Sequence, residues 1–316
     1  MPTYNTSISR DVSDDPLVPV PVAAQVVQEA VASSFVLSNA RRVQMSSKTS
    51  RQPVLSVLPQ AYWVSGDAGL KQTTTQDWGN VDLVAEELAA IVVVPDAYIS
   101  DAQVPIWDEV RPRLAESIGN AIDAAVLFGT NAPATFGTSA YLHAIAAGNA
   151  VVAGAGKDLA VDVASVAKLI AQDGFSVSGF ASAPGFGWQL VGIRTTDGVA
   201  VYQPNLQGGG PGNLYGFPLR EVVNGSWDAT EAVLIAGDWS KAVVGVRQDI
   251  TFKLFDQGVI ADAEGNVVWS AMQNDGVALR VVFRVGYALA NPETRLNGTD
   301  ATRSPFGVLQ ATTAAS

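Results

Sequence analysis

The chain has 316 residues, 48% of them hydrophobic, 16% charged and 8% aromatic, enough for one large or two modest domains with a packed core. Its 19 Lys and Arg against 30 Asp and Glu leave a formal charge of −11, which argues against a protein whose main task is gripping nucleic-acid phosphates. Cysteine is absent and His143 is the single histidine, so a disulfide framework, a thiol nucleophile and every two-histidine metal motif are excluded.

From Met1 to Asp15 the only cation is Arg10 and there is no apolar run, a pattern that cannot act as a secretory signal peptide. Mean hydropathy is high at +0.20, yet no stretch approaches the ~18 uninterrupted apolar residues of a membrane span. The surplus apolar surface must be buried within the fold or between copies. Met1 to Pro21, rich in Pro and acid, reads as an extended arm, and Val22 to Phe35 as a short helix. Between Glu29 and Asp67 there is no acidic residue, while Arg41, Arg42, Lys48 and Arg51 are present; this is either a solvated basic strand face or a docking face for an acidic neighbour.

Leu55 to Val64 and Leu70 to Leu83 are strand-like, and Ser65 to Gly69 supplies turn chemistry, so the pair predicts a long hairpin. A turn centred on Asp67 and Ala68 sets Trp63 opposite Gln72 and Trp78 opposite Val57, leaving both rings without an aromatic partner in the hairpin. They are candidates for another surface or for folding back onto their own domain. Leu88 to Val94, ending at Pro95, suits a buried strand.

The clearest helix follows, capped by Ser100 or Asp101, with Val104, Trp107, Leu114, Ile118, Ile122, Ala125 and Phe128 at helical spacing up to Gly129. Glu109 and Arg113 stand in the favourable i,i+4 order. Pro105 is tolerated in the first turn, whereas the internal Pro112 deletes the bond to the Asp108 carbonyl and predicts a kink. Ala144 to Gly156 is small and Gly-rich and predicts a loop or a loosely packed connection; Leu159 to Asp173 is helical and ends at Gly174. Phe180 to Ala183, Val199 to Tyr202, Leu219 to Val223, Ala232 to Ala236 and Ala242 to Val246 read as strands, and Gln207 to Gly212 as a mobile surface loop. Ile250 to Phe255 and Val267 to Ser270 flank a turn at Asp262 to Asn266. Val277, Leu279, Val281, Phe283 and Val285 alternate with Arg280 and Arg284, a half-buried strand with a basic outer face. Beyond Pro292 the small, polar tail predicts poor order.

Chemistry-bearing motifs fail one by one. Gly156-Lys157 lacks the first glycine of a phosphate loop, with Val151 in its place, and Asp158 replaces the Mg-binding Ser or Thr. Gly179-Phe180-Ala181-Ser182-Ala183 misses the nucleophile elbow, so His143 has no triad to join and reads as a core or surface histidine. Asp262, Glu264, Gly265 and Asn266 have the wrong spacing for a calcium loop and suit a hairpin turn. The Asn5, Asn224 and Asn297 sequons mean nothing without secretion, and Asp108 and Glu109 suit a solvated helix face. No catalytic, cofactor-binding or metal residue is predicted.

An arm, a weakly anchored hairpin, one long helix, a β-rich insertion and a closing strand suit mutual wrapping between copies. Their order and local motifs resemble the HK97-fold major capsid proteins of tailed bacteriophages over nearly the whole chain. The arm is similar to their N-arm, the hairpin around Lys71 to their E-loop, the helix from Asp101 to Gly129 to their spine helix, and Tyr141 to Val246 to their A-domain. Leu214-Tyr215-Gly216-Phe217-Pro218-Leu219 resembles the recurring A-domain turn, and Gly237-Asp238-Trp239-Ser240 before Gly245-Val246-Arg247 the gly-asp-aromatic strand pair. NDGVALRVVFRVGYALANP, Asn274 to Pro292, looks like the last P-domain strand.

The resemblance implies an α+β, HK97-like capsid fold: N-arm 1–50, E-loop hairpin 51–84, P-domain 85–140 with the spine helix, inserted A-domain 141–247, and P-domain with tail 248–316. It implies a non-enzymatic major capsid subunit of the virion, without cofactor or membrane. Such a subunit self-assembles into hexamers and pentamers around double-stranded DNA without sequence-specific binding. Portal and scaffolding proteins are expected partners, and a decoration protein is an optional one. Inter-subunit contacts are expected at Arg41, Arg42, Lys48, Arg51, Trp63, Lys71 and Trp78, with Pro112 as a spine-helix hinge. Some relatives crosslink an E-loop Lys to a P-domain Asn with a nearby Glu as base. Here Lys71 and Asn274 match, but Val282 stands at the Glu position, so no covalent chainmail is expected. The chain begins almost directly at the arm, so scaffolding is expected from a separate protein. An encapsulin-like compartment shares the fold, although its A-domain is usually shorter; a hydrolase or nucleotide-binding enzyme is the reading from another class.

Overall fold

The computed structural model describes residues 34–64, 69–101, 106–155, 158–192 and 212–312, apart from the Glu109 side chain. The arm, most of the Val22 to Phe35 helix, the turn at 65–68, Val104, Pro105, Gly156-Lys157, Val199 to Tyr202, most of the Gln207 to Gly212 loop and the Glu109–Arg113 pairing lie outside the described residues. Phe35 itself begins a helix: Ser34 caps α1 (Phe35–Asn39), its hydroxyl accepting from Leu37 N.

The described residues fall into two compact units. One comprises Glu87–Gly119 and Gln248–Val285; the other Ser34–Glu86, Asn120–Arg247 and Gly286–Ser316. The strands β1 (Arg41–Gln44), β10 (Ala242–Phe255), β13 (Gly276–Leu289) and β4 (Glu86–Pro95) form a four-stranded sheet in the order β1-β10-β13-β4, with β1 parallel to β10. The long helix α3 (Ile106–Leu127), like β10 and β13, contributes residues to both units.

In the smaller unit, α2 (Asp96–Asp101) follows β4, and the antiparallel hairpin of β11 (Val259–Ala261) and β12 (Val267–Ser270) leads to the one-turn α7 (Ala271–Asn274). Trp269, Ala271 and Ala278 pack with Val93, Phe255 and Ile260, and the Arg280 guanidinium lies over the Phe255 ring. Asp262 organises the hairpin turn, its carboxylate accepting from Glu264 N, Asn266 N and Asn266 Nδ2.

The larger unit is built on a six-stranded sheet in the order β5-β14-β9-β6-β8-β7. Its strands are β5 (Ala150–Val152), β6 (Gly179–Ser182), β7 (Asn213–Leu214), β8 (Phe217–Glu221), β9 (Ala232–Gly237) and β14 (Phe306–Gln310), with α4 (Ala140–Ala146), α5 (Leu159–Gln172) and α6 (Phe186–Gly192) between them. Val163, Val166 and Ile170 of α5 pack on Phe180, Leu234, Ala236 and Leu309 of the sheet, one helix face closing on one sheet face. Trp239 meets Phe35 edge-on at 4.7 Å and Phe306 at 4.9 Å, joining three distant parts of the chain. Tyr215 and Gly216 both take positive φ between β7 and β8, the signature of a two-residue I′ hairpin turn.

Five expectations are corrected. Leu88 to Val94 is not a buried strand: β4 lies at a sheet edge and alternates in exposure, with only Val94 buried. Ser100 and Asp101 do not cap the long helix, because they already lie in α2. Ala144 to Gly156 is not simply a loop, since β5 pairs parallel with β14 there. Ala242 to Val246 and Ile250 to Phe255 are one strand of 14 residues, because nothing between them breaks an extended chain. The tail beyond Pro292 is not poorly ordered over its described length. Phe306, Val308 and Leu309 are buried in β14, which pairs with β9 and β5, and the residues before it are tied down by side-chain hydrogen bonds.

Candidate functional site

A hairpin exists, but its ladder lies nearer its base than predicted, and most of Leu55 to Val64 and half of Leu70 to Leu83 are not strand. β2 (Thr49–Val57) and β3 (Asp77–Val84) pair antiparallel from Thr49↔Val84 to Val57↔Asp77, and a bulge between Leu55 and Val57 places Trp78 opposite Leu55 rather than Val57. Residues 58–64 and 69–76 belong to no strand; Gln60 N reaches across to Thr74 Oγ1 at 2.9 Å. This distal half buries little of its own apolar surface. Trp63 is fully exposed, Leu70 nearly so, and Tyr62, Val64 and Trp78 are also exposed. Lys71 is exposed as well.

The basic stretch divides into two parts. Arg41 and Arg42 are exposed on β1, an edge strand, and Lys48 is exposed in the turn before β2. Arg51 stands directly opposite Asp82 and grips it with Nε at 2.8 Å and Nη2 at 3.3 Å. Hydrogen bonding and charge from that guanidinium hold the Asp82 carboxyl below its ordinary pKa. Arg51 therefore already has an acidic partner in its own hairpin.

Pro112 lies inside α3, which continues through it as one element. Further along the same helix, Asp123 is fully buried. Its carboxylate accepts from Ser34 Oγ at 2.6 Å, Phe35 N at 2.8 Å, Val36 N at 2.9 Å and Asn224 Nδ2 at 2.7 Å. Burial pushes its pKa up, and these four donors oppose the shift. The long helix thus fixes the point where the chain enters β1.

Ser182 is fully buried in β6 and His143 Nδ1 contacts Ser304 Oγ at 2.9 Å. Asn274 Oδ1 accepts from Ser270 N, and Val282 is 9% exposed. Among the described residues no group of three His, Asp or Glu is placed to hold a metal ion, and no helix is long and apolar enough to cross a membrane.

With a hairpin that leaves its aromatic side chains in solvent beside a long helix and two sheets, comparison with known proteins settles the family. The model of the phage capsid family matches residues 15–294. The chain belongs to the phage capsid family. A solved structure from Mycobacterium phage Cain is 34% identical, with TM-score 0.79 over 90% of this chain and 92% of that one. A structure from Microbacterium phage Oxtober96 is also 34% identical, with TM-score 0.79 over 96% of each chain. The structure described as "Capsid of native GTA particle computed with C5 symmetry" is 16% identical with TM-score 0.61, over 96% of this chain and 95% of that one, and shares the fold. No curated protein matches.

This phage capsid protein is therefore a structural protein of the virion shell with an HK97-like fold. The sequence reading missed the residues that root its hairpin. Glu293, within the supposedly loose tail, donates its backbone N–H to Leu55 O at 3.0 Å and accepts from Leu58 N at 3.2 Å. Asn297-Gly298 was a visible turn signal there, but nothing local pointed to β2 as its neighbour. A second exposed apolar group, Val259, Val267, Val268 and Met272 on β11, β12 and α7, also went unread, because short alternating strands look half-buried in sequence.

Proposed function

We propose that this capsid protein is the major shell subunit, assembling into hexamers and pentamers that enclose double-stranded DNA. The observation that carries the reading is the hairpin: Trp63 is fully exposed, Leu70 nearly so, and Tyr62, Val64 and Trp78 keep much of their surface in solvent, so a second copy is the natural place for that surface. Arg41, Arg42 and Lys48 supply an exposed cationic face for an acidic neighbour, in a chain with an acidic surplus of 11 charges. Ring-closing contacts between identical subunits generate the capsomers, and the hairpin ties one to the next. Portal and scaffolding proteins, and a decoration protein where present, are the partners such a shell requires.

The partition into arm 1–50, hairpin 51–84, P-domain 85–140 and 248–316, and A-domain 141–247 accompanies this reading. It is supported by a hairpin ladder confined to 49–84; β14 departs from it, since residues 306–310 pair with β5 and β9 of the 141–247 segment. Pro112 is the proposed bend point of α3 during shell expansion, and shells of Pro112→Ala should then mature poorly. Covalent chainmail is not proposed: Val282 offers no base and the Asn274 side chain is engaged by Ser270 N.

Negative-stain electron microscopy with light scattering, on the protein expressed alone and with its neighbouring genes, tests the proposal. Closed shells or capsomer rings containing DNA support it. Shells filled with a protein cargo would mark an encapsulin-like compartment, and a strict monomer in both preparations, especially one with hydrolytic activity, would overturn it.

A further inference from the structure

We infer that residues 291–304 act as a tie that couples the hairpin to the end of α5 and fixes where the free part of the hairpin begins. Glu293 makes both of its hairpin bonds at the end of the ladder: its N–H to Leu55 O and its Oε2 from Leu58 N bracket the bulge between Leu55 and Val57. The other carboxylate oxygen is seated against Gly298, where a Cβ would come within 3.3 Å. Below this clasp β2 is held by its ladder with β3, and at the clasp itself by Glu293. Beyond it, only the Gln60–Thr74 bond crosses between the two arms among the described residues.

The next residue carries the connection onward. Thr294 Oγ1 donates to the carbonyl of Asp173, at the C-terminal end of α5, at 2.6 Å. Gly174 passes so close that a Cβ there would stand 2.8 Å from the Thr294 side chain. Asn297 Nδ2 donates to Asp173 Oδ1 at 2.8 Å, and the other Asp173 oxygen accepts from Asn149 Nδ2 at 2.7 Å and Ser304 N at 3.0 Å. Arg303, buried, closes the loop on itself through Asn291 O at 2.8 Å and Asn297 O at 3.1 Å. A short loop laced by side-chain hydrogen bonds is stiff, so a displacement of α5 against the hairpin root must be carried by it or must break it. This makes the tie a coupling element whose two ends bias one another.

Hydrogen exchange on the purified full-length chain, resolved at the Leu58 and Glu293 amides, tests the tie. Glu293→Ala should raise exchange at Leu58 about tenfold while β14 stays protected. Asn297→Ala, which removes no contact with the hairpin, should raise exchange at both Leu58 and Glu293, and the double variant should add little at Leu58 beyond Glu293→Ala. If Asn297→Ala does not fold, Thr294→Val removes the hydroxyl's bonds to Asp173 O and to the Asn297 backbone and should act in the same direction. The inference is overturned if either remote variant loosens the Thr299 amide yet leaves Leu58 as in the parent, or if Glu293→Ala leaves Leu58 unchanged. Because these readings come from the unassembled chain, they stand or fall independently of whether it builds a shell.

Discussion

Ser34 donates its hydroxyl to the carboxylate of Asp123 at 2.6 Å, across 89 positions of sequence. Phe35 N, Val36 N and Asn224 Nδ2 complete the set of donors, so one buried carboxylate near the C-terminal end of α3 serves the start of α1 and the loop after β8. Asp123→Ala would remove the acceptor that these four donors share, at a cost of about 3 kcal/mol. Asp123→Asn would turn an amide donor toward some of the same donors and should also be strongly destabilising. Urea unfolding measures both; an alanine variant within about 1 kcal/mol of the parent would show that the knot is dispensable.

Gly237 and Gly245 flank Trp239, and both lack room for a Cβ, for different reasons. At Gly237 the new atom would overlap the Phe306 ring and lie 2.8 Å from the Pro305 carbonyl, within a sheet pairing that cannot shift alone. At Gly245 it would overlap the sulfur of Met45, a flexible side chain. Gly237→Ala should therefore cost about 3 kcal/mol and Gly245→Ala about 1 kcal/mol. Equal shifts in the urea midpoint would contradict this ordering.

The elements legible in sequence are those decided by neighbouring residues. The stripe of α3, the stop at Gly129 with its positive φ and the turn at Asp262 all follow from local rules. The unread parts depend on partners far along the chain. β14 is a five-residue run whose strand character comes from pairing with β9 and β5, and Trp239 is buried because Phe35 and Phe306 arrive from opposite ends. The candidate site was half legible: exposed Trp63, Lys71 and Trp78 were named from sequence, while the Arg51–Asp82 pair and the Glu293 clasp required the register of β2.

Tyr287 is fully buried in β13, and its hydroxyl has no hydrogen-bond partner among the described residues. Burial alone pushes the phenol pKa up, and an unpaired hydroxyl in an apolar setting lowers stability. Tyr287→Phe keeps the ring beside Phe136 and should raise stability by about 1 kcal/mol. A loss of that size in thermal unfolding would reveal a partner for the hydroxyl, such as an ordered water.

His143 is half-buried, and burial lowers its pKa; Asp300 opposes that shift and Arg303 adds to it. The folded protein then binds fewer protons than the unfolded chain just below the ordinary histidine value of ~6.5. Stability is complete above that value and declines as pH falls through it toward the lower folded pKa. Thermal unfolding should show a smaller loss between about pH 7.5 and about pH 5.5 in His143→Gln than in the parent. An unchanged difference would assign the acid sensitivity to other groups.

Trp63 and Trp239 make opposite demands on the chain. Trp239 is buried, with its Nε1 donating to Gly179 O at 3.1 Å, so Trp239→Ala should prevent stable folding. Trp63 is fully exposed and Trp78 more than half exposed, at 59%, so Trp63→Ala and Trp78→Ala should leave the unassembled chain within about 0.5 kcal/mol of the parent. Their effect belongs to association, where a large rigid ring contributes much contact area for little lost entropy. The double variant should give folded protein that assembles in lower yield or needs a higher concentration to do so, read by light scattering. Arg41→Ala with Arg42→Ala should weaken assembly mainly at low salt, since screening already weakens that term at high salt. Unaltered yield from the tryptophan double variant would remove the hairpin rings from the interface and leave the apolar surface of β11, β12 and α7 as the next place to look for the contact between copies.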